Sequence, residues 1–240
     1  MRSILLLGFV MGMRHALEAD HLAAVASLAA GNRSARAVVL QGTAWGVGHT
    51  LTLLLLGGAC LLLGAVIPER VGHALEIVVG VMLLVLGVQV LRRMRRQRVH
   101  VHVHQHAGGV AHLHVHRHRP GEAHDPSHHE HAHAPPFPRR ALLVGMVHGL
   151  AGSAALLLLT ISAVASPWMG LAYVGLFGAG SIVGMAALSA VISVPLRMSA
   201  RLLAGMHNAV EALVGCATLA IGARVLYEAG VLFGAAWSAR

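Results

Sequence analysis

Four ionisable side chains stand within seven residues in the run His15-Ala16-Leu17-Glu18-Ala19-Asp20-His21, inside an otherwise apolar stretch. Imidazole and carboxylate together suit a divalent first-row transition metal, whereas magnesium or calcium would call for oxygen ligands alone. Further histidines lie in other apolar stretches: His49 within Gly48-His49-Thr50, His148, and His207 followed by Asn208 and Glu211. An ionisable group inside a bilayer costs at least about 2.5 kcal/mol, so such groups mark a site or a path. The candidate metal ligands are therefore His15, Glu18, Asp20, His21, His49, His148 and His207. Helical geometry divides the first group. At about 100° per residue, His15, Glu18 and His21 share an arc of about 120°, with Asp20 on another face. His15 and His21 would lie about 9 Å apart along a regular helix. Either the helix is broken here, or some residues ligate while others orient the ligands.

The elements that must position these residues follow from composition. Of 240 residues, 56% are hydrophobic and only 11% charged, with a mean hydropathy of +0.70. Soluble domains carry about 25% charged residues, so the composition is that of an integral membrane protein. All 18 basic residues are Arg. Without Lys there is neither a Walker-type phosphate loop nor a Schiff-base nucleophile. The net charge of +9 does not point to nucleic acid, because the Arg residues flank apolar runs rather than stacking aromatics. Cys60 and Cys216 form no disulfide or zinc-knuckle spacing.

Six stretches reach the ~20 apolar residues that a membrane helix needs: near 3–30, 38–66, 71–91, 141–165, 169–196 and 203–228. The first carries too many charged groups for a cleavable signal peptide. The second is long and Gly-rich, which predicts tilt or a break. Arg33, Arg36, the cluster from Arg92 to Arg98, Arg139, Arg140, Arg197 and Arg201 all fall on one side. That side is expected to be cytoplasmic, with both termini outside. Between His100 and His133 lie thirteen of the nineteen histidines, separated by Gly, Pro and acidic residues. This composition predicts a disordered, metal-binding cytoplasmic loop.

The two halves repeat. Gly12-Met13-Arg14-His15-Ala16-Leu17 aligns with Gly145-Met146-Val147-His148-Gly149-Leu150, and Trp45-Gly46-Val47-Gly48-His49 aligns with Phe177-Gly178-Ala179-Gly180-Ser181. Glu76, Gly80, Gly87, Val90 and Leu91 align with Glu211, Gly215, Gly222, Val225 and Leu226. Three spans per unit invert the second unit relative to the first, an arrangement typical of secondary transporters. The expected fold is thus an all-α polytopic membrane protein of the plasma or inner membrane. It would have six transmembrane helices in two inverted three-helix repeats, 1–91 and 141–240, joined by the His-rich loop 92–140.

The run from His15 to His21 resembles the H-A-x-D-A-D-H signature of the nickel/cobalt transporter family, and Gly48-His49-Thr50 resembles that family's second motif, G-H-[ST]. Glu18 replaces the first Asp, the motif lies in the first span rather than the second, and six spans replace eight. The chain is similar to short nickel-permease-like relatives found near urease accessory genes. The resemblance implies Ni²⁺ or Co²⁺ uptake through His15, Asp20, His21 and His49. The ion is cargo rather than a cofactor, the bilayer is the surrounding partner, and a cytoplasmic metallochaperone is the implied acceptor. Efflux by a relative of the same superfamily is the alternative. An intramembrane hydrolase is less well supported: Gly178-Ala179-Gly180-Ser181 departs from the rhomboid G-x-S-G, and no H-E-x-x-H lies in the spans.

Overall fold

A computed structural model describes residues 2–30, 32, 34–65, 67–96, 100–105, 111–116, 138–150, 166–202 and 204–238. In chain order these form α1 (Arg2–His15), α2 (Ala19–Ala29), α3 (Ala35–Leu63), α4 (Glu69–Arg96), β1 (His100–Gln105), β2 (Ala111–His116), α5 (Arg139–Gly149), α6 (Pro167–Leu202) and α7 (Ala204–Ser238). The chain is a helical membrane protein. Four helices are by themselves long and apolar enough to cross a membrane: Ala35–Leu63, Glu69–Arg96, Pro167–Ser199 and Met206–Ala235. Their outer faces carry large apolar side chains such as Leu55, Val81, Val191 and Leu213, all exposed. Such a continuous apolar exterior suits lipid and not water.

The first apolar stretch is two helices, not one. After His15 the backbone tightens into turn bonds, Leu17 N–H to Arg14 O at 2.9 Å and Glu18 N–H to His15 O at 3.1 Å. Glu18 then turns extended, with φ −63° and ψ 149°, and opens α2. By contrast α3 runs unbroken for 29 residues, so of the tilt or break expected there, the break does not occur. Ser34 caps its start by accepting the Ala37 N–H, and Gly64 ends it in the left-handed region with φ 62°, where a side chain would be strained. The remainder of the fourth stretch, 151–165, lies outside the described residues.

The His-rich segment also departs from expectation. β1 and β2 pair antiparallel, with His100 opposite His116, His102 opposite His114 and His104 opposite His112. The alternation His-Val-His-Val-His has the period of a strand and its β-branched residues. Composition alone had pointed to disorder, and here the local pattern prevails. The remaining loop histidines lie outside the described residues.

Helices pack chiefly as α1 with α6, α3 with α5 and α6, and α4 with α7. Glycines let backbones touch. A Cβ on Gly12 would overlap the Phe177 carbonyl, one on Gly180 the Phe9 carbonyl, one on Gly145 the Trp45 carbonyl, and one on Gly48 the Leu142 carbonyl. Without interhelical hydrophobic driving force in lipid, such close van der Waals contact is what holds helices together. The main core cluster is built from Ala16, Ala23, Ala24, Val25, Ala44, Trp45, Val79, Leu83, Leu86, Ala141, Met185 and Leu188.

Candidate metal centre

The break between α1 and α2 brings His15 and His21 together. Their ring centroids are 4.2 Å apart, where a regular helix would have separated them. His49 reaches in from the middle of α3, 5.3 Å from both rings. His148, on the last turn of α5, lies 4.2 Å from His21 and 5.9 Å from His49. All four imidazoles are buried. Trp45 packs 5.3 Å from His21 and from His148, and Phe177 packs 5.2 Å from His15, so aromatic walls flank the cluster. Neither wall was singled out from sequence, although the repeat alignment pairs the two positions.

The carboxylates sort the donors. Asp20 Oδ1 accepts both the His21 backbone N–H and His21 Nδ1–H, each at 2.9 Å. Asp20 Oδ2 accepts His148 Nε2–H at 3.1 Å. Glu18, 55% exposed, pairs with His15 Nδ1 at 2.9 Å. These contacts assign the ring protons to the carboxylate side. The opposite nitrogens, His15 Nε2, His21 Nε2 and His148 Nδ1, together with both nitrogens of His49, are buried and have no hydrogen-bond partner among the described residues. A buried polar atom without a partner is costly. Each neutral ring offers one lone pair, so four neighbouring imidazoles present nitrogen donors of the kind a transition-metal ion takes.

Two groups have donor atoms lying within 4.8 Å of one another: His15, His21 and His49, and Asp20, His21 and His148. His21 belongs to both. Of the two alternatives open in the sequence, the helix is broken, and the carboxylates bond ring nitrogens of His15, His21 and His148. His207 stands apart at the start of α7, paired with Glu211 at 3.3 Å. His73 and Glu76 form a separate pair at 3.5 Å near the start of α4.

No family model matches the chain, and no solved structure matches it. Among curated proteins, the urease accessory protein UreH of Bacillus sp. (strain TB-90) is 35% identical over 247 residues, covering 97% of this chain and 94% of the relative. This chain belongs to the UreH family. The near-complete coverage means that the broken helix, the His cluster and the His-rich segment all fall within the stretch shared with UreH.

Proposed function

We propose that this UreH-family chain is a secondary permease for divalent transition-metal ions, nickel or cobalt, working in the uptake direction. The observation that carries the reading is the buried set of unpartnered imidazole nitrogens on His15, His21, His49 and His148. The UreH relative is named for urease, an enzyme that carries nickel, which supports the choice of ion. In this reading His15, His21 and His49 hold the ion first, His148 supplies a further nitrogen, and Asp20 fixes the ring planes of His21 and His148. Trp45 and Phe177 exclude water.

The architecture we assign is six spans in two inverted repeats, 1–91 and 141–240, with both termini outside and the His-rich loop 92–140 cytoplasmic. The packing supports it. Exchanging repeat-equivalent residues turns the contact of Gly12 with Phe177 into that of Gly145 with Trp45, and the contact of Gly180 with Phe9 into that of Gly48 with Leu142. Gly80 against Leu226 likewise becomes Gly215 against Leu91. Contacts that interconvert in this way are what a two-fold axis between halves produces.

Radiolabelled Ni²⁺ and Co²⁺ accumulation, in cells with and without the protein, tests the function. A rise supports uptake, a fall shows efflux, and no change removes the reading. Two further outcomes follow. Glu18→Gln should weaken apparent Ni²⁺ affinity by less than the 10–100-fold typical of orienting groups, because Glu18 is half in solvent and its loss leaves the ring packed. Half-saturation of uptake checks this. Deleting residues 100–133 should lower metal capacity or shift half-saturation yet leave the preference for Ni²⁺ over Zn²⁺ intact, because many similar imidazoles discriminate poorly among first-row ions. Competition uptake with both ions would reveal a reversed preference, which would move selectivity to the loop.

A further inference from the structure

A second polar cluster lies away from the His cage, where α6 meets α7. His207 is buried, Ser199 is buried, and Glu211 is 0% exposed. Ser199 Oγ donates to the Leu196 carbonyl at 3.0 Å, which leaves its lone pairs facing His207 Nδ1 at 3.2 Å. His207 Nε2 in turn faces Glu211 Oε1, 3.3 Å away. A proton on Nε2 or a shared cation would satisfy that contact, and a fully buried carboxylate whose oxygens lack hydrogen-bond partners among the described residues calls for a cation. Two donors that each stand about 2.0–2.2 Å from one metal ion lie about 3.0–3.4 Å from each other at octahedral to tetrahedral angles, so the observed separation fits a shared ion. Both Glu211 carboxylate oxygens, and Asn208 Oδ1 three residues earlier on the same helix, are buried without hydrogen-bond partners among the described residues.

A buried hydroxyl pair lies between this cluster and the cage. Six residues beyond His21, about 9 Å along α2, Ser27 Oγ meets Thr218 Oγ1 of α7 at 2.8 Å. Thr218 also reaches the Ala23 carbonyl at 3.4 Å. Seven residues back along α7, a further ~10 Å, stands Glu211. Val210 packs against the cluster of Ala29, Val38 and Leu196, so α7 passes α2 in the opposite direction. His207 and Glu211 thus sit at the end where α2 leads into α3 and α6 into α7.

We propose that His207, Glu211 and Asn208 form a second station for the divalent transition-metal ion, reached from the His cage along the α2–α7 seam. It rests on the permease reading for the identity of the ion. The donors are mixed nitrogen and oxygen, which bind nickel, cobalt and zinc alike; the cage, not the station, discriminates. Ser199 is a positioning residue that fixes the ring of His207.

The test uses the full chain, purified in detergent, and counts tightly held ⁶³Ni²⁺ per protein alongside uptake in cells. Glu211→Gln, which keeps shape and removes charge, should hold one equivalent fewer than the unaltered protein and transport at no more than one tenth of its rate. His207→Asn should match it in both readouts, and serves if Glu211→Gln does not accumulate. His21→Ala with His49→Ala should lose a different equivalent, so that combining these with Glu211→Gln removes two. An unchanged count in Glu211→Gln and His207→Asn overturns the station, whether or not uptake falls, since a merely structural or proton-carrying pair would leave the count unaltered. If the unaltered protein changes neither Ni²⁺ nor Co²⁺ accumulation, the permease reading fails, while the count still decides whether the station exists.

Discussion

His21→Ala and His49→Ala should each reduce Ni²⁺ accumulation by about 100-fold or more, with the protein still present in the membrane at its usual level. Loss of a group that merely orients a ligand costs 10–100-fold in metal affinity, and in the permease reading these two rings hold the ion itself. His49 presents two buried, unpartnered nitrogens, and His21 is shared by both groups of converging donors. Removing either leaves three of the four imidazoles. Asp20→Asn should give a different signature. The amide can still accept from one ring but must present N–H to the other, so one of His21 and His148 turns. The expected result is weaker half-saturation with measurable maximal uptake. Initial rates across a range of Ni²⁺ concentrations separate the two signatures. Normal uptake by both His variants would place the ion's path elsewhere.

The second large effect concerns packing. Gly145→Leu and Gly12→Leu should abolish accumulation of folded protein, and the corresponding Ala variants should lower it severalfold. A side chain added into a packed core typically costs about 1–3 kcal/mol. Here the atoms in the way are the carbonyl oxygens of Trp45 and Phe177, backbone that cannot swing aside. Helix pairs must separate, and the cage with them, since His148 follows Gly145 on α5 and His15 follows Gly12 on α1. Gly72→Leu is the control, because a Cβ there meets nothing within 4 Å. Membrane abundance and thermal aggregation in detergent would measure the three side by side. Equal behaviour of Gly72→Leu and Gly145→Leu would contradict the argument.

Much of this was legible in the residues because lipid imposes simple rules. The long apolar helices coincide with the apolar stretches, since a segment in hydrocarbon must bond its own backbone. The motif around His15–His21 and the histidines at 49 and 148 could be named in advance because polar groups in such stretches are rare. What could not be read was the division of labour. Asp20 lies on a different face from His15 in any regular helix, and only the break at residues 16–18 lets it clamp two rings from two helices. Periodicity is blind to that break, which contains no Pro or Gly. His207 looked equivalent to His148 by sequence, yet tertiary packing carries one to the cage and the other to Glu211. The hairpin was missed for another reason: the weight of thirteen histidines hid a plain alternation of His with Val.

The glycine contacts weld α1, α3, α5 and α6 into one slab, because α3 also meets α6 through Gly46 and Ile182. α4 and α7 are welded to each other in the same way, through Gly80, Gly87, Gly215 and Gly222. α2 lies at the joint between slab and pair, packed against α3 and α6 of the one and α4 and α7 of the other. Slab and pair also meet directly where α6 packs on α7 and α4 on α5. Three of the four imidazoles, His15, His49 and His148, ride on the slab; His21 and Asp20 ride on α2, in the joint. Movement of α2 against the slab therefore pulls one corner of the cluster away from the other three. In the permease reading, a ligand set divided in this way links release of the ion to movement of α2.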